Sequence, residues 1–543
     1  MQGLMQSSSI NLISLLEHAA RWHSQQTIIT NTVEGGVHRQ SYAQTFDRTG
    51  QLGNVLLGLG VSPGDRVATM AWNTHRHLEC WFATMGIGAI SHTVNPRLFP
   101  EQLVYIMNHA QDRVLMVDLT FVPLVQSLQD QVPSLEQVIV MTSQEHMPEN
   151  LPENWHCYET LLEGQKPTCK WAQVDADHAS SLCYTSGTTG NPKGVMYSHM
   201  SNVLHAYAAT SKDAMDVGSA DRVLVVVPMF HANAWGLAFG LPMVGAQMVM
   251  PGPHMDGASI ATQLNDERCT FAAAVPTIWS MLLGHLKSTG AQLEHLKEVV
   301  IGGSAAPRSM IETFDRDYGV KVLHAWGMTE MSPLGTVNRR NGYMEEPVDQ
   351  DSDYDLRCKQ GRVPFGVDMK IIDDEGKILA HDGQTFGKLL VKGPWTVERY
   401  YGEEESALDD DGWFDTGDIA TIDEFGFMHI TDRAKDVIKS GGEWISSVDL
   451  ENAAVAHPDI ALAACIGATH PKWEERPLLL VQMADGKTLN PQAINDVLGE
   501  QFAGWQLPDA IVAVDTIPLT ATGKIDKKPL RESYQNYLID HPQ

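Results

Sequence analysis

The stretch Tyr184–Val195, YTSGTTGNPKGV, constrains this chain more than any other. Gly187, Gly190 and Gly194 let a backbone turn tightly and bring its N–H groups against an anion. Thr185, Ser186, Thr188 and Thr189 add hydroxyl donors, and Lys193 adds a movable positive charge. Together these make a loop that cradles phosphates. It is not a Walker A loop, which needs G-x-x-x-x-G-K-[ST]; here Gly194 follows Lys193 and Pro192 precedes it. Nor does it read as a flexible linker. It follows an apolar run, Ser181 to Tyr184, and leads into a segment of helical pattern.

Length and charge narrow the setting. A chain of 543 residues is long enough for two to four domains, and at 43% apolar it can bury a large core. The balance of 38 basic against 67 acidic residues gives −29, which argues against nucleic acid or an anionic membrane as partner. Seven scattered cysteines without a CxxC pair suit a reducing cytoplasm and free thiols, not a disulfide frame or zinc site. The N-terminus lacks a basic start and a long apolar core, so no signal peptide is expected. No apolar run reaches transmembrane length.

In chain order, helical spacing marks Leu12 to Ala19 and Ser41 to Leu59. Gly60 to Asp65 reads as a turn, Val67 to Trp72 as a strand, a helix starts at Glu79, and Ala89 to Val94 is strand-like. Strands alternating with helices predict doubly wound α/β sheets. Met141 to Lys170 reads as an irregular polar excursion. RVLVVVP (222–228) is a buried strand that runs into PMFHANAWG, and VVIGGSAAP (299–307) is a strand entering a Gly-Gly turn. Residues 361–430 read as a β-rich subdomain. The acidic run Met344 to Cys358 lacks apolar period and is expected to be a solvated loop with no catalytic role. After about Arg433 a small α+β region follows.

Several further strings offer chemistry. Trp326 presents a flat face, Thr329 a hydroxyl, and Glu330 a hard oxygen of the kind that binds magnesium. Asp418 in WFDTGD suits the two hydroxyls of a ribose. His231 follows a buried strand, where α/β folds place ligands. Taken with the phosphate loop, KSGGEW (439–444) and Thr522-Gly523-Lys524, these strings in unbroken order resemble the adenylate-forming superfamily of acyl-CoA synthetases, luciferases and peptide-synthetase adenylation domains. Over nearly the whole chain the likeness is to bacterial medium- and long-chain acyl-CoA synthetases, and among these to methylmercaptopropionate–CoA ligases.

The resemblance implies a large adenylation domain over 1–432 and a small mobile domain over 433–543, hinged near Lys435. It implies that ATP binds Thr185, Ser186, Gly187, Thr188, Thr189, Gly190, Lys193, Gly303, Ser304, Ala305, His324, Ala325, Trp326, Gly327, Met328, Thr329, Asp418 and Arg433. His324 stands where relatives often carry Asn, Asp or Gln. The acyl group is expected at His231, Trp235, Gly236, Gly302, Gly303, Met328, Pro333 and Leu334, with Trp235 as a gate. CoA is expected at Lys439, Ser440, Gly441, Gly442, Glu443 and Trp444. Thr185 and Glu330 would hold Mg2+. The resemblance identifies Lys524 as the lysine of adenylation, with Thr185, Glu330, His231 and Lys439 as further catalytic candidates.

The expected reaction joins a carboxylic acid to ATP, releases pyrophosphate, and passes the acyl group to CoA. 3-Methylmercaptopropionate is the specific acid expected and a long-chain fatty acid the alternative. A cytoplasmic homodimer is expected. An adenylate-forming oxygenase shares every string up to the adenylate. A peptide-synthetase module needs a carrier domain, for which the chain after Lys524 is short. A non-catalytic AMP-binding protein would have lost Lys524, Glu330 or Asp418, and all three are present.

Overall fold

A computed structural model describes residues 4–6, 9–185, 191–345, 347–441, 443–520 and 524–541. Ser186 to Gly190, Gly442 and the side chain of Glu443 therefore lie outside the described residues. Two large sheets are built as the alternating pattern predicts. In the eight-stranded sheet the order is Leu334–Val337, Lys321–Gly327, Glu298–Ile301, Phe271–Ala274, Arg222–Leu224, Gln247–Met250, Thr27–Asn31, Val37–Ser41. All neighbours pair parallel except the two edge strands, which are antiparallel. The seven-stranded sheet runs Trp155–Cys157, Gln137–Val140, Val114–Val117, Arg66–Met70, Ile90–Thr93, Ala179–Tyr184, Gly194–Ser198. Its central strands bury every side chain (Val114–Val117 and Ile90–Thr93), as parallel strands covered on both faces must.

Three elements differ from the sequence expectation. The phosphate loop does not lead into a helix. It joins Ala179–Tyr184 to the antiparallel strand Gly194–Ser198, and the helix His199–Thr210 starts only after that, capped by Ser198. The helix expected from Glu79 begins at His75, because the Thr74 hydroxyl caps the His77 N–H. The acidic run is not a loop: Gln350–Cys358 is a helix, capped by Asp349, with Tyr354 fully buried. Its acidic face is neutralised from a neighbouring helix, where Arg308 pairs with Asp351 and Asp355 at 2.6 Å. Periodicity failed there because one aromatic, not an apolar stripe, docks the helix.

The excursion 141–170 is also more ordered than its polarity suggests. It adds the edge strand Trp155–Cys157 and the helix Tyr158–Leu162, held to the core by a buried carboxylate. Glu79 accepts from Tyr158 Oη at 2.6 Å, Arg48 Nε at 2.8 Å and Gln40 Nε2 at 2.8 Å. The segment returns directly over the helix Tyr42–Gly58.

A four-stranded antiparallel sheet, Asp368–Ile372, Gly387–Lys392, Phe414–Ile422 and Met428–Arg433, forms the β-rich part. It shares one apolar core with Cys183, Val195, Tyr197, Trp326 and Met331, the strands that carry the phosphate loop and the Glu330 turn. The C-terminal region has its own sheet, Glu443–Ile445, Ile438–Ser440, Glu474–Met483, Ile460–His470, with Ala510–Ala513 beside Glu474–Met483. Its two apolar clusters contain only residues from 438 onward. The fold is thus a large α/β region with a β-rich part and a separate small α+β domain. No helix among the described residues is long and apolar enough to cross a membrane.

Gly50 marks how closely the excursion packs: a Cβ there would lie 1.7 Å from the Pro167 carbonyl oxygen. Gly50→Ala gains about 1 kcal/mol of helix propensity. Overpacking against backbone costs about 1–3 kcal/mol, and a 1.7 Å approach puts this site at the upper end. The expected result is a lower Tm in calorimetry; a raised Tm would show that the return segment yields freely.

Candidate active site

The carboxyl ends of the parallel strands in the eight-stranded sheet open into a cavity of about 1040 Å³. Open α/β sheets bind ligands there. The connections after Leu224, Ala274, Ile301 and Gly327 form its floor, Thr416–Asp418 and Ile430–Arg433 one wall, and Lys524 with its neighbours the roof. Thr185, Lys193, His231, Trp235, Gly302, Gly303, Ser304, Ala305, His324 to Glu330, Pro333, Leu334, Asp418, Arg433, Lys435 and Lys524 all line it. Residues from motifs 340 positions apart in sequence therefore meet in one place.

At one end, Asp418 is almost fully buried. Its Oδ2 accepts from Trp326 Nε1 at 3.2 Å and its Oδ1 from Arg433 Nε at 2.9 Å. Burial pushes the Asp418 carboxyl up, and the charges of Arg433 and Lys524 pull it back. The Trp326 ring can lie flat because Gly335 is opposite: a Cβ there would fall 2.3 Å from the indole. His324 plays a different part from the one its position suggests. Its Nδ1 donates to the Cys358 carbonyl at 2.9 Å, and its Nε2 accepts from the Ala306 N–H at 3.3 Å. Burial holds the ring down to about 4, so it is neutral and both nitrogens are used. His324 thus fastens the Gly302–Pro307 turn to the end of the acidic helix, and its ring has no nitrogen left for a ligand. The same bond ties the end of the acidic run, expected to have no catalytic role, to the wall of the site.

At the phosphate end, the Thr185 N–H donates to the Lys193 carbonyl at 2.9 Å and the Lys193 N–H to Thr185 Oγ1 at 3.2 Å. This reciprocal pair closes the base of the loop. Glu330 sits on a short turn whose Thr329 carbonyl accepts from Tyr197 Oη at 2.6 Å. Lys524 reaches the cavity between these ends. Burial and the Arg433 charge lower its ammonium to about 8, against the opposing charges of Asp418 and Glu330.

The third end is apolar. His231 is held neutral, at about 4, by burial and by the nearby Lys524 and Arg97 charges. After it the backbone makes a left-handed turn: φ is 42°, 55°, 52° and 55° at Ala232, Asn233, Ala234 and Trp235, and 79° at Gly236. For L-residues this costs about 1–2 kcal/mol each, so the surroundings must hold the turn. Asn233, fully buried, donates to Ser181 Oγ at 3.2 Å and accepts from Cys183 Sγ at 3.4 Å. Ahead of it, Asn73 donates to the Val225 and Val227 carbonyls at 2.7 and 2.8 Å and accepts from the Met229 N–H at 2.7 Å. The turn lays the Trp235 indole over Gly302 and Gly303, where a Gly302 Cβ would come within 3.0 Å of it. Behind the indole lies a second apolar cavity of about 60 Å³, lined by Phe230, Met255 and Ile278 among others.

One expectation is corrected. Gly236 does not line the cavity; it faces His205, 2.4 Å from where its Cβ would stand. Lys439, Ser440, Gly441 and Trp444 also lie off the cavity. Lys439 and Ser440 are in a hairpin of the C-terminal sheet, where the Lys439 N–H donates to Glu475 Oε2 at 3.0 Å and Arg476 donates to Ser440 Oγ at 3.1 Å. In this arrangement the small domain presents Lys524, not that hairpin. Sequence reading missed Asn73, Tyr400, and the wall residues Pro276, Thr277 and Ser280. Pro276 at the start of a helix after a buried strand was the available signal.

Comparison with known proteins identifies the family of the chain. The family model for AMP-binding enzymes matches residues 16–401, and the model for their C-terminal domain matches 449–524. The chain is 48% identical to a 3-methylmercaptopropionyl-CoA ligase of Ruegeria lacuscaerulensis, over 99% of this chain and 100% of that one. It is 44% identical to a medium-chain fatty acid–CoA ligase of Ectopseudomonas oleovorans, over 99% and 98%. Among solved structures, the anthranilate CoA ligase AuaEII in complex with anthranoyl-AMP superposes with a TM-score of 0.85 at 25% identity, covering 98% of this chain and 99% of that one.

His324→Leu keeps the bulk but strands the Ala306 N–H and the Cys358 carbonyl. Each buried orphan costs about 1–3 kcal/mol, so the expected result is a clear loss of Tm and weaker nucleotide binding. Unchanged values for both would refute the fastening role.

Proposed function

Because the chain belongs to the family of AMP-binding enzymes, we propose that it is an AMP-forming acyl-CoA ligase. A carboxylate oxygen attacks the α-phosphate of ATP, the bond to the β-phosphate bridge breaks, and pyrophosphate leaves. The CoA thiol then loses its proton and attacks the acyl carbonyl, and AMP leaves. The observation that carries this reading is the convergence of Lys524, Asp418, Glu330 and Lys193 on one cavity with an apolar end.

The first step brings two anions together, so positive charge must stand between them. Lys524 is assigned to bridge the carboxylate and the α-phosphate. Asp418, with lone pairs left beyond those given to Trp326 and Arg433, takes the ribose hydroxyls. Trp326 and the Gly302–Ala305 turn flank the adenine and acyl groups. Thr185 and Lys193 take the outer phosphates, together with Ser186 to Gly190. The donor set suits Mg2+: Glu330 and Thr185 supply oxygens, and no group of three or more His, Cys, Asp or Glu able to hold a metal exists among the described residues. A small hard cation that keeps waters and substrate phosphates fits so sparse a set. When bound with ATP, Mg2+ supplies neutralising charge to the departing pyrophosphate.

We assign 1–432 and 433–543 as the two moving parts, with Lys435 as hinge. The support is that no apolar cluster spans the boundary among the described residues. Polar contacts cross it, among them Asp432 Oδ2 accepting from the Ser447 N–H at 2.8 Å. A polar seam separates at lower cost than an apolar core. Rotation about Lys435 then withdraws Lys524 and brings Lys439 to Trp444 to the CoA thiol. We place the enzyme in the cytoplasm, in keeping with seven free cysteines, and propose a homodimer.

For the acid we propose 3-methylmercaptopropionate. The full-length relative of that name supports it, as does the Trp235 indole closing the apolar end. The small cavity behind that indole favours a second reading, a medium- or long-chain acid admitted when Trp235 swings.

Acids offered singly with ATP, Mg2+ and CoA, with AMP and thioester read by mass spectrometry, decide between these. Preference for the short thioether acid is expected; preference for octanoate or palmitate would overturn it. Lys524→Ala is expected to lower adenylate formation by a factor of about 10²–10³ while still converting supplied acyl-adenylate to thioester. Equal loss of both steps in a folded variant refutes the alternation. The ammonium of Lys524 is present below about 8 and lost above it. Adenylation by the wild type should therefore fall as pH rises through about 8, and the thioester step should show no such fall. A matching fall in both steps would remove Lys524 as the cause.

A further inference from the structure

Tyr400 belongs to none of the strings that mark the nucleotide site, yet it stands between two of them. The segment around it is hydrogen-bonded on both sides. The Val397 N–H donates to the Glu330 carbonyl at 2.7 Å, and the Tyr401 N–H donates to the Gly194 carbonyl at 2.8 Å. Between these bonds, the half-buried Tyr400 donates its hydroxyl to Glu330 Oε1 at 2.9 Å. The face of its ring lies 4.6 Å from Lys193 Nζ. Among the described residues neither Lys193 nor Glu330 makes an ion pair.

A lysine and a glutamate facing one cavity tend to collapse onto each other, and a collapsed pair offers neither charge to a ligand. The Tyr400 ring stands where that collapse would occur. It offers the ammonium a π face and the carboxylate one hydrogen bond, leaving the other carboxylate oxygen open.

We propose that Tyr400 is a positioning residue for adenylation, which holds Lys193 and Glu330 apart and aligned for the outer phosphates of ATP and their cation. The proposal rests on the ligase reading above and names what prepares the polyphosphate end of that same site. The hydroxyl serves the cation side through Glu330, and the ring serves the phosphate side through Lys193. The two functions are therefore separable by substitution.

The test is calorimetric titration of a non-hydrolysable ATP analogue into the full chain, with and without Mg2+, in the absence of any acid. Tyr400→Phe is expected to bind the analogue alone as the wild type does, and to lose about tenfold of the affinity that Mg2+ adds. Tyr400→Leu is expected to lose, in addition, about two- to fivefold in the Mg2+-free titration. Both variants should convert supplied acyl-adenylate and CoA to thioester at the wild-type rate, since that step does not use the outer phosphates. Wild-type Mg2+ linkage in Tyr400→Phe overturns the proposal. So does an equal slowing of both half-reactions, which marks a merely structural residue. Failure of the wild type to use acyl-adenylate would instead overturn the ligase reading, and the binding titrations would still report on Tyr400.

Discussion

The buried carboxylate of Asp418 joins the parts of this molecule that must act together. It stands in the β-rich sheet, accepts from Trp326 at the end of a parallel strand, and pairs with Arg433 where the small domain begins. A carboxylate this enclosed is costly to bury without partners, although the Arg433 side chain that pairs with it is itself partly exposed. The three elements are thereby held in register around it. The remaining lone pairs of Asp418 face the cavity, and the Lys524 charge acts on it from the roof.

The charge distribution follows from the same constraint. The chain carries −29, yet its cavity must receive a polyphosphate and a carboxylate. Three cations that line the cavity are ion-paired: Arg433 with Asp418, Lys527 with Glu451, Arg531 with Asp436. Lys193 and Lys524 make no ion pair among the described residues and sit at the two places where anionic substrates need charge. Local pairing, not net charge, sets the field inside a cleft with low-dielectric walls.

Backbone strain and polar clamps supply the rest of the preorganisation. The left-handed turn that delivers Trp235 is anchored through Asn233 to the strand leading into the phosphate loop. The acyl end and the phosphate end thus share one support. The small domain is joined differently, through polar contacts such as Ser447 to Asp432 and, among the described residues, without a common apolar core. The packing is in keeping with the two-step chemistry and the domain movement proposed above.

Much of this was legible in the chain itself. The phosphate loop, Glu330 and Asp418 each lie in a short string whose neighbours reveal the local chemistry, Lys524 was marked only by the family resemblance, and alternating apolar runs announced the parallel sheets. What the sequence could not decide depends on partners distant along the chain. His324 looks like an adenine contact until Cys358 and Ala306 occupy both its nitrogens. The acidic run looks like a loop until Arg308 and the pocket for Tyr354 make it a helix. Tyr400 is an ordinary tyrosine until the fold sets it between Lys193 and Glu330. Which of Lys524 and the Lys439 hairpin meets the cavity is a matter of domain placement. Local strings specify which groups are present; burial and the direction of each hydrogen bond, which exist only after distant segments pack, specify what those groups are free to do.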